Sequence, residues 1–189
     1  MRRRGLVIVL DGPTQVGCST TLHALQRAWP QVRPGPLMEV GLDAALGSFG
    51  PGARRWSELV LPRLAGGTHA AWGPMGRELV AAMHRAAAAW AHGGFDVAVD
   101  HVLLDRATLT DLVTALSGLD VLYVGLTCDP DVLEDREREA GVATPGLAVA
   151  QQEATRDLLL RDLELDTSYA TTDELVEAVL SELARLLRR

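Results

Sequence analysis

An apolar, β-branched run from Gly5 to Leu10 leads straight into Gly12, four intervening residues and Gly17, after which Ser19 and Thr20 open a helical pattern that Pro30 stops. Strand, glycine-framed turn and helix in that order fix the start of the fold. The turn presents several backbone N–H groups to one point, and the helix dipole adds partial positive charge there. An oxyanion is the natural ligand of such a loop, with Gly12, Thr14, Gln15, Gly17, Ser19 and Thr20 as its candidate contacts. After the second glycine, however, the triphosphate-binding form of this frame has a lysine that reaches the outer phosphates, and this chain has Cys18.

Downstream, short apolar runs at 37–40, 95–104, 120–128 and 163–168 read as further strands. They alternate with helical patterns from about Met75 to His92, Asp105 to Leu116, Asp129 onward, through Leu160, and a closing amphipathic helix capped by Thr172. Asp43 follows the second strand as either a helix cap or a catalytic carboxylate. The expected architecture is a three-layer α/β domain spanning 1–189, with a five-stranded parallel sheet covered on both faces and an irregular region at about 44–76.

Composition narrows the partners. A net charge of -7 and a pI near 5.2 supply no basic footprint for nucleic acid or an anionic membrane. No apolar run is long enough to span a bilayer, and Cys18 and Cys128 form neither a disulfide framework nor a metal cluster, so a reducing, cytoplasmic setting is expected. A homo-oligomer is left open. All 18 cations are arginine and the chain has no lysine, so no other segment can bring one to the loop.

Four stretches, "GPTQVGCSTTLHALQ", "VGLD", "DVAVDHVLL" and "LDVLYVGLTCDPDVLEDRE", together with Gln151 and "LDTS" at 165–168, resemble the chloramphenicol phosphotransferase family of small P-loop kinases. The resemblance implies a fold like that of adenylate and shikimate kinases, and ATP-dependent phosphorylation of a hydroxyl on a small natural product. It implies that Asp43 is the base for that hydroxyl and that Asp100 lies beside the metal and phosphate region. It places a lid at about 138–147, where the family's two arginines fall on Ala140 and Ala143 and the acid between them on Val142. The second of its paired acids after the third strand becomes His101, while Arg136 matches the family. One arginine acting on a transferring phosphoryl group contributes about 10³ to 10⁵ in rate. Losing the loop lysine and two lid arginines therefore predicts very little transfer.

The expected function is an enzyme of natural-product or antibiotic metabolism that uses the acceptor pocket for a phosphate-free step (dehydration, isomerisation, cyclisation or hydrolysis) on a small molecule, with no cofactor and no metal. The alternatives are an O-phosphotransferase using ATP and Mg²⁺ with Arg136 covering the missing cations, and a non-catalytic binding protein. Cys18 is either a nucleophile, activated at the helix start with His23 or His101 as base, or a small filler. His101 is either an acid/base group or structural. His69, His84 and His92 show no metal spacing; of Arg136 and Arg138 either one swings inward or both lie on a solvated helix face pairing with Glu134 and Glu139, a reading that suits Arg138 more than Arg136. Trp56 and Trp72, with Phe49, Met38 and Met75, either line the substrate pocket or fill core.

Overall fold

Every residue of β1 (Leu6–Asp11) is buried, as a strand with neighbours on both sides and helices on both faces must be. The computed structural model describes residues 3–50, 71–142, 144–156, 158 and 161–188. Around β1 the sheet runs β2-β3-β1-β4-β5, with β2 Leu37–Gly41, β3 Asp96–His101, β4 Asp120–Thr127 and β5 Leu163–Asp166. All four pairings are parallel, so the five-stranded α/β expectation holds.

The helices are α1 (Cys18–Ala28), α2 (Leu42–Gly47), α3 (Pro74–His92), α4 (Arg106–Ala115), α5 (Pro130–Ala140), α6 (Leu147–Thr155) and α7 (Thr172–Leu186). The alternation along β1 sorts them into layers. Leu6, Ile8 and Leu10 meet Leu22, Leu25 and Trp29 at the α1 side and Val176, Val179 and Leu183 of α7. Val7 and Val9 point the other way, into Met83 and Ala87 of α3 and Leu109 and Leu112 of α4.

Some boundaries differ from the sequence reading. The closing helix is capped by Thr171 rather than Thr172, because only Thr171 completes the reciprocal bonds with Glu174. The helix expected through Leu160 ends at Thr155, and the third strand stops at His101, where Gly12 N–H takes the His101 carbonyl. Trp56, His69, Ala143 and most of the irregular region lie outside the described residues. Because β1 lies between β3 and β4, the segments leaving its end and theirs part to opposite sides and open a crevice at the carboxyl edge of the sheet.

Candidate active site

The loop leaving β1 turns through two left-handed residues, Gln15 (φ 63) and Gly17 (φ 105). Glycine takes that conformation at no steric cost, whereas Gln15 is held there by its surroundings. Such alternation curls successive N–H groups toward a common centre. Three loop donors are already used: Gly12 N–H on the His101 carbonyl, Val16 N–H on Pro13, and Thr14 N–H on Gln151 Oε1 at 2.7 Å. Among the described residues no acceptor takes the N–H of Gln15, Gly17, Cys18, Ser19 or Thr20, and all five residues line one cavity of about 690 Å³.

Asp100, at the end of β3, forms the far wall together with Leu42, Asp43 and Val102. Its Oδ2 accepts a 2.6 Å hydrogen bond from Ser19 Oγ. Burial raises the Asp100 pKa, the Ser19 bond opposes that, and the charges of Asp43 and Glu39 raise it further. Asp43 sits in the first turn of α2 without capping it; the N-cap is Gly41, with no side-chain bond. Its carboxylate is therefore left for the cavity, beside Asp100 and about 57 residues away from it in sequence.

The lid side is built from α5 and α6. Arg136 lines the cavity, but its guanidinium donates to the carbonyls of Gln15 (3.3 Å), Val16 (3.4 Å) and Thr167 (2.7 Å) and to Thr167 Oγ1 (3.2 Å). It fastens the loop to the turn after β5 rather than facing a ligand. Glu137, which the sequence reading missed, is 3% exposed and accepts from Gly146 N–H at 2.6 Å and Ala148 N–H at 2.7 Å. It thereby caps α6, whose Gly146 N-cap has no side-chain bond of its own. Val142, Thr144 and Leu147, all uncharged, continue this wall of the cavity. Gln151 was noted only as a mark of register, yet its fully buried side chain ties the loop to α6. A carboxylate directly after the matching arginine, followed by a glycine-rich turn, was the available signal for the Glu137 cap.

Three candidates, Cys18, His101 and Trp72, are buried, and of these Cys18 alone reaches the cavity wall. Cys18 packs in the main core, and burial, aided by the charges of Asp100 and Asp11, pushes its thiol well above the ordinary range. That removes the thiolate a nucleophile needs, and the filler reading fits. His23, its proposed base, pairs with Glu39 at 3.3 Å. His101 is buried on the α3–α4 face, and its Nε2 lies 2.7 Å from His84 Nε2, while His84 Nδ1 meets Asp111 Oδ2 at 2.6 Å. Burial and the neighbouring His84 push the His101 pKa down to about 3, so it serves no acid/base step in the cavity. Trp72 is buried against Val80 and Leu104, with Phe49 and Met75 beside it, and does not line the cavity. Arg138 is exposed and pairs with Asp135 at 2.5 Å rather than with Glu134 or Glu139.

Residues 5–184 match the family described as chloramphenicol phosphotransferase-like protein. No curated protein matches the chain. Among solved structures it is similar to a gluconokinase from Sinorhizobium meliloti, with 21% identity, 100% of this chain and 96% of that one covered, and a TM-score of 0.66. It is similar to the Mycobacterium tuberculosis APS kinase in complex with AMPPNP and APS (16% identity, 98% and 99% covered, TM-score 0.65). A Deinococcus radiodurans tunicamycin resistance protein is similar too (20% identity, 95% and 96% covered, TM-score 0.63). At these identities the likeness concerns the P-loop kinase fold.

Proposed function

The chain belongs to the chloramphenicol phosphotransferase-like family, and from that premise we propose that it acts on a hydroxylated small molecule held against Asp43 without transferring phosphate from ATP. One observation carries this reading: among the described residues lining the cavity the single cation is Arg136, and backbone carbonyls and a threonine hydroxyl take its donors. Charge on a transferring phosphoryl group would then develop beside Asp43 and Asp100 with no uncommitted side-chain cation among the described residues to meet it. A carboxylate within reach of a hydroxyl or an acidic C–H needs no such cation to remove a proton. Asp43 is that base on this reading, and the substrate is of the natural-product or antibiotic kind that the family scaffold suits.

The residues fit a nucleoside triphosphate with Mg²⁺ in part. Five unclaimed N–H groups suit a phosphate, and the Ser19–Asp100 pair is of the hydroxyl and carboxylate type that holds a phosphate-bound Mg²⁺. Cys18 does not fit, since a buried thiol cannot replace an ammonium. The hydroxyl–carboxylate pair favours a second reading, an ATP- and Mg²⁺-dependent O-phosphotransferase in which those groups hold the metal and Asp43 takes the acceptor's proton.

Calorimetric titration with ATP and Mg²⁺, followed by mass spectrometry of a panel of hydroxylated natural products, separates the readings. The expected result is no nucleotide heat, with conversion of a panel member that disappears in Asp43→Asn. Nucleotide binding together with a phosphorylated product would sink the proposal. Tight binding of a panel member that is left unconverted would leave a binding protein in its place.

A further inference from the structure

Beneath the loop, on the sheet face opposite Asp100, three buried polar atoms lack a partner: Asp11 Oδ2, His101 Nδ1 and Arg161 Nε. They are neighbours by register. Asp11 pairs with His101 on β3 and with Gly125 on β4. Val7, Val9, Val97 and Val99 all belong to the core on the α3–α4 side, so the odd-numbered Asp11 and His101 project to that side as well. The Arg161 guanidinium lies directly against Gly125, in space that a Cβ there would fill. His101 on β3 and Arg161, which precedes β5 and lies over Gly125 of β4, thus flank Asp11 on its two sides, and the Arg161 charge acts on Asp11.

The remaining bonds fix what each atom needs. His84 is fully buried and uncharged in this setting, and its Nδ1–H donates to Asp111 Oδ2. Its Nε2 is therefore a bare acceptor, so His101 must donate Nε2–H to it across 2.7 Å and keep a bare Nδ1. Asp11 Oδ1 accepts from Leu103 N–H at 2.7 Å, which leaves Oδ2 free. Arg161 Nη1 pairs with Glu164 at 2.6 Å, and of the other guanidinium donors Nε–H is the one that is buried without a partner. One donor and two acceptors remain, all sealed from solvent.

We infer that this place holds a buried water, a single molecule or a linked pair, which accepts from Arg161 Nε–H and donates to Asp11 Oδ2 and His101 Nδ1. A water molecule offers that complement of bonds, and buried polar groups left unmade cost more than immobilising one water. With it, a hydrogen-bonded line runs from Asp111 on one surface through His84, His101 and Asp11 to Arg161 and Glu164 on the other, passing under the loop. Burial raises the Asp11 pKa to about 7 when nothing meets Oδ2, and a water proton there favours the ionised form.

A high-resolution crystal structure of the full chain tests this directly. The expected result is a water within about 3.2 Å of at least two of the three atoms. Direct side-chain bonds among Asp11, His101 and Arg161 with no solvent between them would overturn it. In solution, water relaxation dispersion should show a long-lived internal water that is lost in His101→Leu. Dispersion unchanged by that substitution in a folded variant argues equally against the site.

Discussion

Replacing Glu137 by glutamine probes the lid at the point where one buried carboxylate does two jobs. It accepts from Gly146 N–H at 2.6 Å and Ala148 N–H at 2.7 Å, and it is 3% exposed. Hydrogen bonds to a charged group contribute about 1.5–3 kcal/mol each, and a buried donor left unmet costs about 1–3 kcal/mol. Glutamine keeps the volume but has one acceptor oxygen, so one N–H is left facing an amide N–H₂ group. The expected loss is about 3 kcal/mol, and Glu137→Ala, which removes both acceptors, should lose about 4–5 kcal/mol. Because α6 has nine residues and can detach by itself, hydrogen exchange at the Gly146 and Ala148 amides is the decisive assay. At 1.4 kcal/mol per decade, Glu137→Gln should speed their exchange roughly 100-fold. Exchange within about threefold of wild type would show that the carboxylate does not hold the lid, since such a difference is worth well under 1 kcal/mol.

Two other outcomes follow from burial. Cys18 should resist thiol-specific reagents at mildly alkaline pH until denaturant is added, with its accessibility followed by mass spectrometry; rapid native labelling would restore it as a nucleophile. The His84–His101 pair should make the protein acid-sensitive. Both histidines have folded pKa values below 6.5, so the unfolded chain takes up protons that the folded chain refuses, and stability present above about pH 6.5 is lost as pH falls toward 3. Asp11, with its raised pKa, works in the opposite direction between about pH 7 and 4, so the prediction concerns the difference between wild type and His101→Leu. Urea titrations should show wild type losing up to about 4 kcal/mol relative to that variant on acidification from pH 7 to 3; an unchanged difference would refute the assignment.

The strands and the loop were legible because their signals are local. Leu6 to Leu10 of β1 is an unbroken apolar run, the two glycines frame the turn, and each helix begins or ends near a Gly, Pro or capping residue. Asp43 and Asp100 were found through the family resemblance, and both line the cavity. Arg136 was found as a residue but not for its contact, because its partners Gln15 and Val16 are more than 100 residues away and are backbone carbonyls, which no sequence pattern marks. Gln151 escaped for the same reason, its partner being the Thr14 N–H. Which alternative held for His101 was not legible, because alternation on β3 decides its side: Asp100 faces the cavity, and one residue later the chain faces α3 and His84. Thr171 and Thr172 are indistinguishable as cap candidates until the Glu174 carboxylate is placed against one of them.

The same stretch of chain that carries Arg136, Glu137 and Gln151 lines one side of the cavity and anchors the loop behind it. Moving α5 and α6 away from the sheet therefore means releasing the loop at Thr14, Gln15 and Val16 in the same motion. With about 1 kcal/mol for the neutral Thr14 bond and further cost for the bonds from the charged Arg136 guanidinium, such a movement is a rare excursion of the free protein.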